Sequence, residues 1–124
     1  MTKNELKKYL MLYSKISKFA EENHSVCVIK RWGRKQKIYI PEWVDKLPEI
    51  FEIIESENNF LLTSVIEKAY KKGINDRVII TELPVTESGY YRLKRKIEDK
   101  IYQLLILYNC VSEEDILNNK IIDW

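Results

Sequence analysis

The segment SGYYRLKRK, from Ser88 to Lys96, concentrates side chains that could recognise a nucleic acid. Arginine can donate a pair of hydrogen bonds to the major-groove edge of guanine, and lysine neutralises phosphate charge. Serine and tyrosine hydroxyls can bind phosphates or base edges. Side chains of this kind contact DNA together only if one structural element presents them on one surface. The flanking sequence therefore decides what the segment can do.

A long helix is predicted to carry this segment. Thr86 is a candidate N-cap, and apolar residues recur after it at spacings of three and four, which is the helical period. The residues expected to face the core are Tyr90, Leu93, Ile97, Ile101, Leu104 and Tyr108. Because successive residues rotate by about 100°, the polar residues of the N-terminal half share the opposite side. The candidate DNA-binding residues are Thr86, Ser88, Tyr91, Arg92, Lys94, Arg95 and Lys96.

A shorter helix is predicted immediately before the long one. Asn75 is a good N-cap, Asp76 suits the positive end of the helix dipole, and an apolar run continues to Leu83. Pro84 should end this helix, because proline lacks the amide hydrogen that a helix interior requires. With Val85 as an apolar residue in a connection of about three residues, the pattern predicts a helix-turn-helix.

The whole stretch GINDRVIITELPVTESGYYRLKRKI, Gly73 to Ile97, resembles the helix-turn-helix of sigma-factor region four. More narrowly, ESGYYRLKRKI resembles the C-terminal part of phage late-gene transcriptional activators of the RinA and ArpU type. The resemblance covers about a fifth of the chain. It implies a sequence-specific DNA-binding regulator of transcription, encoded by a phage or prophage, that activates genes with RNA polymerase as a partner.

The resemblance also implies roles for single residues. The matching positions are Ile79 and Leu83 in the first-helix core, Val85 in the turn, and Tyr91, Arg92, Arg95 and Lys96 toward DNA. Two positions depart from the pattern, since Ile80 stands where alanine is usual and Pro84 where glycine is common. Proline fixes a negative φ, whereas glycine often adopts a positive one. These departures predict an atypical turn and a wider spacing of the two helices.

A second basic cluster falls on a predicted β-hairpin between Val26 and Ile40, where β-branched and aromatic residues flank a glycine-containing turn. Its cations are Lys30, Arg31, Arg34, Lys35 and Lys37. Such a ribbon can bind phosphates independently of sequence. Equally, charged residues can protect the edge of a strand from aggregation. Both interpretations are open, and binding to DNA would require this patch and the long helix to lie on one side.

Short helices are predicted for most of the remaining chain. An amphipathic helix is expected from Thr2, a candidate N-cap, to about Glu22, and Pro41 and Pro48 should each begin another helical turn. The isoleucines expected to face the core are Ile50, Ile53 and Ile54. A further helix should run from Asn59 to Lys72 and end at Gly73, and the tail from Ser112 should dock as a short helix.

These elements predict a single domain, residues 1–124, that is mainly α-helical with a small β-hairpin and a C-terminal helix-turn-helix. Residues 1–57 would hold the first helix, the hairpin and the short helices, and residues 58–124 the helix-turn-helix region and the tail. The charge balance of 21 cations and 19 anions is too even for DNA binding by net charge alone. Any nucleic-acid interface therefore depends on local clusters.

The chemistry of an enzyme is not indicated. Cys27 and Cys110 lack metal-ligand spacing with the single histidine, His24, and the three glycines are too scattered for a phosphate-binding loop. We therefore expect no metal, no cofactor and no catalytic site. No apolar run reaches the roughly 18 residues of a membrane span, so we expect a cytoplasmic protein without a membrane partner.

A competing hypothesis is a small phage protein-interaction module that binds a host or phage protein through a helix-turn-helix scaffold. It predicts an aromatic surface formed by Tyr91, Tyr102 and the tail with Trp124. In the DNA-binding interpretation, double-stranded DNA is the partner, and a homodimer is expected because helix-turn-helix proteins usually bind paired half-sites.

Overall fold

The computed structural model describes residues 1–22 and 26–111 of the chain. The elements in chain order are α1 (Lys3–Glu21), β1 (Val26–Arg31), β2 (Arg34–Tyr39), a 3-10 helix (Glu42–Lys46), α2 (Leu47–Glu55), α3 (Phe60–Val65), a π-helix (Ile66–Lys71), α4 (Asp76–Glu82) and α5 (Glu87–Leu107). The prediction of a mainly α-helical chain with one small antiparallel hairpin is confirmed. His24 and the tail, residues 112–124, lie outside the described residues.

Helix α1 contacts the 3-10 helix, the π-helix, α5 and β1. Its N-terminus is capped as predicted, because Thr2 Oγ1 accepts a hydrogen bond from the backbone amide of Glu5 at 3.2 Å. Its apolar stripe includes Leu6, Leu10 and Ile16, which are almost fully buried. Each of these neighbours buries apolar side chains against α1, so the described residues share one hydrophobic core.

The hairpin packs one face on the helical body. Cys27, Ile29 and Ile38 are buried, and alternate residues on both strands point to solvent. The base of the hairpin is tied to α1 by a hydrogen bond of 3.2 Å from Tyr9 Oη to the carbonyl of Tyr39. The two-residue turn leaves the basic side chains of β2 exposed.

Helix α2 corrects one expectation about the core. Ile50 and Ile54 are buried as predicted, but Ile53 is 39 % exposed. The buried stripe instead takes Leu47 and Phe51 with those two isoleucines, which are spaced by three, four and seven residues as one helical face requires. Ile53 lies at the edge of that face, about 60° around the helix axis from Ile50.

The predicted single helix from Asn59 to Lys72 is two consecutive segments. Asn59 Oδ1 accepts hydrogen bonds from the amides of Leu61 and Leu62, so α3 begins with a good cap. From Ile66 to Lys71 the helix widens into π geometry. Gly73 then ends it with φ of +66°, as the sequence predicted, and a side chain at Gly73 would clash with Ser14 of α1.

Helix α5 contributes a buried face that differs in part from the predicted one. Tyr90, Ile97 and Ile101 are fully buried as expected, whereas Tyr108 is 37 % exposed. Tyr102 is buried instead, at 4 % exposure, and its hydroxyl donates to the carbonyl of Met1 at 3.2 Å. The end of α5 therefore packs against the start of α1.

Candidate nucleic-acid interface

Helices α4 and α5 are joined by the connection from residue 83 to residue 86. Asn75 caps α4 as predicted, because its Oδ1 accepts from the amide of Arg77 at 2.9 Å. Leu83 is extended, with φ −105° and ψ 149°, so the helix ends before Pro84. The amide of Val85 donates to the carbonyl of Leu83 at 2.8 Å, and the Val85 side chain is half-buried against the core. No residue of the connection has a positive φ, in keeping with proline where glycine is common.

The N-terminus of α5 is capped by Thr86, whose Oγ1 accepts from the amide of Gly89 at 3.1 Å. A Cβ added at Gly89 would lie 3.1 Å from that same oxygen. Glycine at position 89 therefore leaves room for the Thr86 hydroxyl. This explains locally why glycine occurs here, although it is unfavourable inside a helix. The Thr86 hydroxyl also lies 3.3 Å from Ser88 Oγ. The first turn of α5 is thus well defined.

A polar cluster, formed by Asp76, Tyr90, Lys94 and Tyr70, holds α5 against the start of α4. Tyr90 is fully buried and its hydroxyl donates to Asp76 Oδ1 at 2.6 Å. Lys94 Nζ lies 3.3 Å from the same oxygen and 5.7 Å from the centre of the Tyr70 ring. Burial, followed by the hydrogen bond to Asp76, raises the pKa of Tyr90, so its hydroxyl keeps its proton.

This cluster changes the role expected for Lys94. The sequence placed it among the residues that contact DNA, but its side chain is only 18 % exposed and is paired with Asp76. Its ammonium group therefore stabilises the packing of α4 on α5. The pairing joins residues 18 positions apart, so periodicity within either helix does not reveal it.

The other candidate residues of α5 are exposed together on its N-terminal half. Ser88, Arg92, Arg95 and Lys96 face solvent, and none of the three cations forms an ion pair with a residue in the described part of the chain. Tyr91 is 38 % exposed, with its ring edge-to-face against Tyr90 at 5.3 Å. We call Arg92, Arg95 and Lys96 the α5 cationic face. Its side chains are free to meet a ligand.

A cavity of about 470 Å³ lies beside this face, between α1, the end of the π-helix, the start of α4 and α5. Glu98 lines it, and burial raises the pKa of its carboxyl even though Lys7 Nζ lies 3.9 Å away. The hydroxyl of Tyr70, which also lines the cavity, has no hydrogen-bond partner among the described residues. No sequence motif pointed to this polar interior.

Three of the hairpin cations lie on one face of the ribbon. Strand register places Lys30 opposite Lys35 and Val28 opposite Lys37, so the three lysines share the solvent-facing side. The backbones of Arg31 and Arg34 form the last pair before the turn, and the Arg34 side chain is exposed. Within residues 1–22 and 26–111, no carboxylate forms an ion pair with the three lysines or with Arg34.

The aromatic patch expected by the competing hypothesis is incomplete. Tyr102 is buried and Trp124 lies outside the described residues, which leaves Tyr91 as its one exposed and described member. Exposed apolar side chains do occur elsewhere, notably Phe60 at 71 % and Leu107 at 77 %. They begin α3 and end α5.

Other chemistries have little support within the described ranges. No three histidine, cysteine, aspartate or glutamate side chains come together there in a group that could hold a metal ion. Nor does that part of the chain contain a helix with the length and apolarity needed to cross a membrane. Comparison with protein families, curated proteins and solved structures found no match for this chain.

Proposed function

We propose that this chain is a sequence-specific DNA-binding regulator of transcription, in which α4 and α5 act as a helix-turn-helix and α5 enters the major groove. One observation carries the proposal: the α5 cationic face is exposed on a capped helix, and none of its three side chains forms an ion pair with a described carboxylate. Side chains left in this state gain electrostatic free energy when they meet phosphates, and arginine can also pair with guanine. The polar cluster around Asp76 supports the proposal, because it links α5 to the first residue of α4 by a hydrogen bond and an ion pair.

The setting in transcription is supported by the resemblance of residues 73–97 to sigma-factor region four and, more narrowly, of residues 87–97 to the C-terminal part of phage late-gene activators. That resemblance predicts activation of phage or prophage genes, with RNA polymerase as a further partner. A homodimer would follow if the DNA site has two-fold symmetry, because each half-site would then bind one copy of α5.

The direct test is selection of bound sequences from random duplex DNA, repeated at two salt concentrations. We expect one enriched motif. Arg92→Ala and Arg95→Ala should each weaken binding to that motif by about 1–3 kcal/mol while changing random-sequence binding much less. Lys96→Ala should weaken binding to all duplexes alike and reduce the slope of log affinity against log salt by about 0.9.

A matched control is Lys46→Ala, which removes an exposed lysine from the 3-10 helix, away from α5. It should leave the preference for the motif unchanged. Recovery of no motif, or parental affinity in both arginine variants, would reject α5 as the DNA-reading element. Such a result would favour the protein-interaction hypothesis, for which the exposed Phe60 and Leu107 are the described apolar side chains to mutate next.

A further inference from the structure

The turn of the hairpin holds the most exposed large apolar side chain in the described part of the chain. Trp32 is 91 % exposed. Its φ of 57°, followed by φ of 74° at Gly33, places both turn residues in the left-handed region, as in a type I′ hairpin turn. Asparagine or aspartate suits the first position, whereas a bulky residue there is a steric outlier. Trp32 therefore serves neither the turn nor the core.

The strands next to the turn carry charge that the described residues do not balance. Lys30 and Lys35 are directly opposite each other, and like charges at opposed positions destabilise a strand pair. Arg34 is the first residue of β2, so it adds a further exposed cation next to the turn. None of these three cations forms an ion pair with a residue in the described ranges. An anion bound across the strands would relieve this repulsion.

A concavity of about 540 Å³ joins the exposed ring to the cations. It is lined by Trp32, Arg34, Lys35 and Gln36. These side chains offer a flat aromatic face, two positive charges and an amide that can both donate and accept hydrogen bonds. That combination matches an unpaired nucleotide, which presents a flat base with polar edges next to phosphates.

We propose that the hairpin tip binds an unpaired nucleotide of a nucleic-acid strand. The base stacks on Trp32, the flanking phosphates bind Arg34 and Lys35, and the amide of Gln36 hydrogen-bonds the edge of the base. An anionic membrane is the less suitable partner, because Trp32 is the single apolar side chain that lines the concavity. The hairpin and α5 are separate elements, so this surface does not rest on the duplex-binding function.

The test measures binding of a fluorescent 20-residue oligothymidylate to the full chain by anisotropy. Trp32→Asn is the informative substitution, because asparagine before glycine favours the same turn while it removes the stacking ring. Loss of one stacked base should weaken binding about 5- to 150-fold. Phe60→Asn removes an aromatic ring of 71 % exposure from α3 and should leave binding unchanged.

The charges are tested by the salt dependence of the same binding. Arg34→Gln and Lys35→Gln should each reduce the slope of log affinity against log salt by about 0.7, the value for one phosphate contact on a single strand. Lys46→Gln should not change it. Parental affinity in Trp32→Asn, or no binding of the oligonucleotide by the parent chain, would overturn the proposal.

Two further measurements distinguish this proposal from membrane binding by the hairpin tip and from duplex binding by α5. Vesicles of phosphatidylcholine and phosphatidylserine should not bind, and vesicle binding lost in Trp32→Asn without oligonucleotide binding would assign the tip to membranes instead. Trp32→Asn should leave the preference of the chain for its duplex motif unchanged, because that preference is assigned to α5 and the substitution lies in the hairpin turn. The experiments therefore distinguish an incorrect assignment of the hairpin tip from an incorrect assignment of α5.

Discussion

The hydrogen bond between Tyr90 and Asp76 should be a main energetic link between α4 and α5. Tyr90→Phe removes the hydroxyl alone and keeps a ring that is fully buried. The bond is short, at 2.6 Å, and its acceptor is an ionised carboxylate, so its loss should lower the free energy of unfolding by about 1.5–3 kcal/mol. Asp76→Ala should cost about 2–4 kcal/mol, because it leaves the Tyr90 hydroxyl buried without an acceptor and Lys94 without its anion.

The two substitutions should not be additive. Both remove the same hydrogen bond, so the double variant should be more stable than the sum of the single losses predicts, by about 1–3 kcal/mol. Urea unfolding followed by tryptophan fluorescence measures these losses, and the buried Trp43 provides a probe in the core. With a denaturant dependence of about 2 kcal/mol per molar, a loss of 2 kcal/mol moves the midpoint by about 1 M.

Tyr91→Phe is the matched control, because it removes a neighbouring hydroxyl for which the described residues offer no hydrogen bond. It should change the free energy of unfolding by no more than about 0.5 kcal/mol. A coupling between Asp76 and Tyr90 smaller than about 0.5 kcal/mol would show that the bond does not link the helices, since that is the usual error of additivity.

Three further comparisons of variants test other contacts, each by urea unfolding. Gly73→Ala should lower the free energy of unfolding more than Gly33→Ala does. Both glycines have a positive φ, but a side chain at Gly73 would also contact Ser14, whereas a side chain at Gly33 would have no neighbour within 4 Å. Equal losses would show that the contact with Ser14 adds no cost. Thr86→Ala should cost about 1 kcal/mol through loss of the cap, and Thr86→Ser should restore most of it. Because burial raises the pKa of the Glu98 carboxyl above its ordinary value of 4.5, the folded state holds its proton more tightly, and stability should fall as the pH rises through that pKa. Glu98→Gln should flatten this fall, and an unchanged pH profile would assign it to other groups.

Features set by neighbouring residues were predictable from the sequence. The caps at Thr2, Asn75 and Thr86 and the end of a helix at Gly73 were each expected, and each is found. These features depend on interactions within a few residues, so sequence patterns record them directly. The hairpin was predicted for the same reason, from alternating residues around Gly33.

Features set by packing between distant residues were not predictable in this way. The helical period predicted three buried isoleucines in α2. The orientation of that helix against its neighbours buries Ile50 and Ile54 but leaves Ile53 exposed. The polar residues Lys94 and Asp76 look like solvent-facing charges in sequence, yet the fold pairs them. The exposure of the α5 cationic face was expected, whereas its contact with DNA stays a prediction.

The π-helix from Ile66 to Lys71 also affects which changes of length this chain can tolerate. Its hydrogen bonds close over five residues instead of four, so its turn holds about one residue more than a turn of an α-helix. Deletion of one residue there would produce a regular α-helical turn and keep the direction of the residues that follow. The same deletion within α5, which is a regular α-helix, would rotate every later side chain of that helix by about 100° around its axis. A deletion of one residue should therefore be tolerated better in the π-helix than in α5, provided that Tyr70 keeps its place on the Phe51 ring.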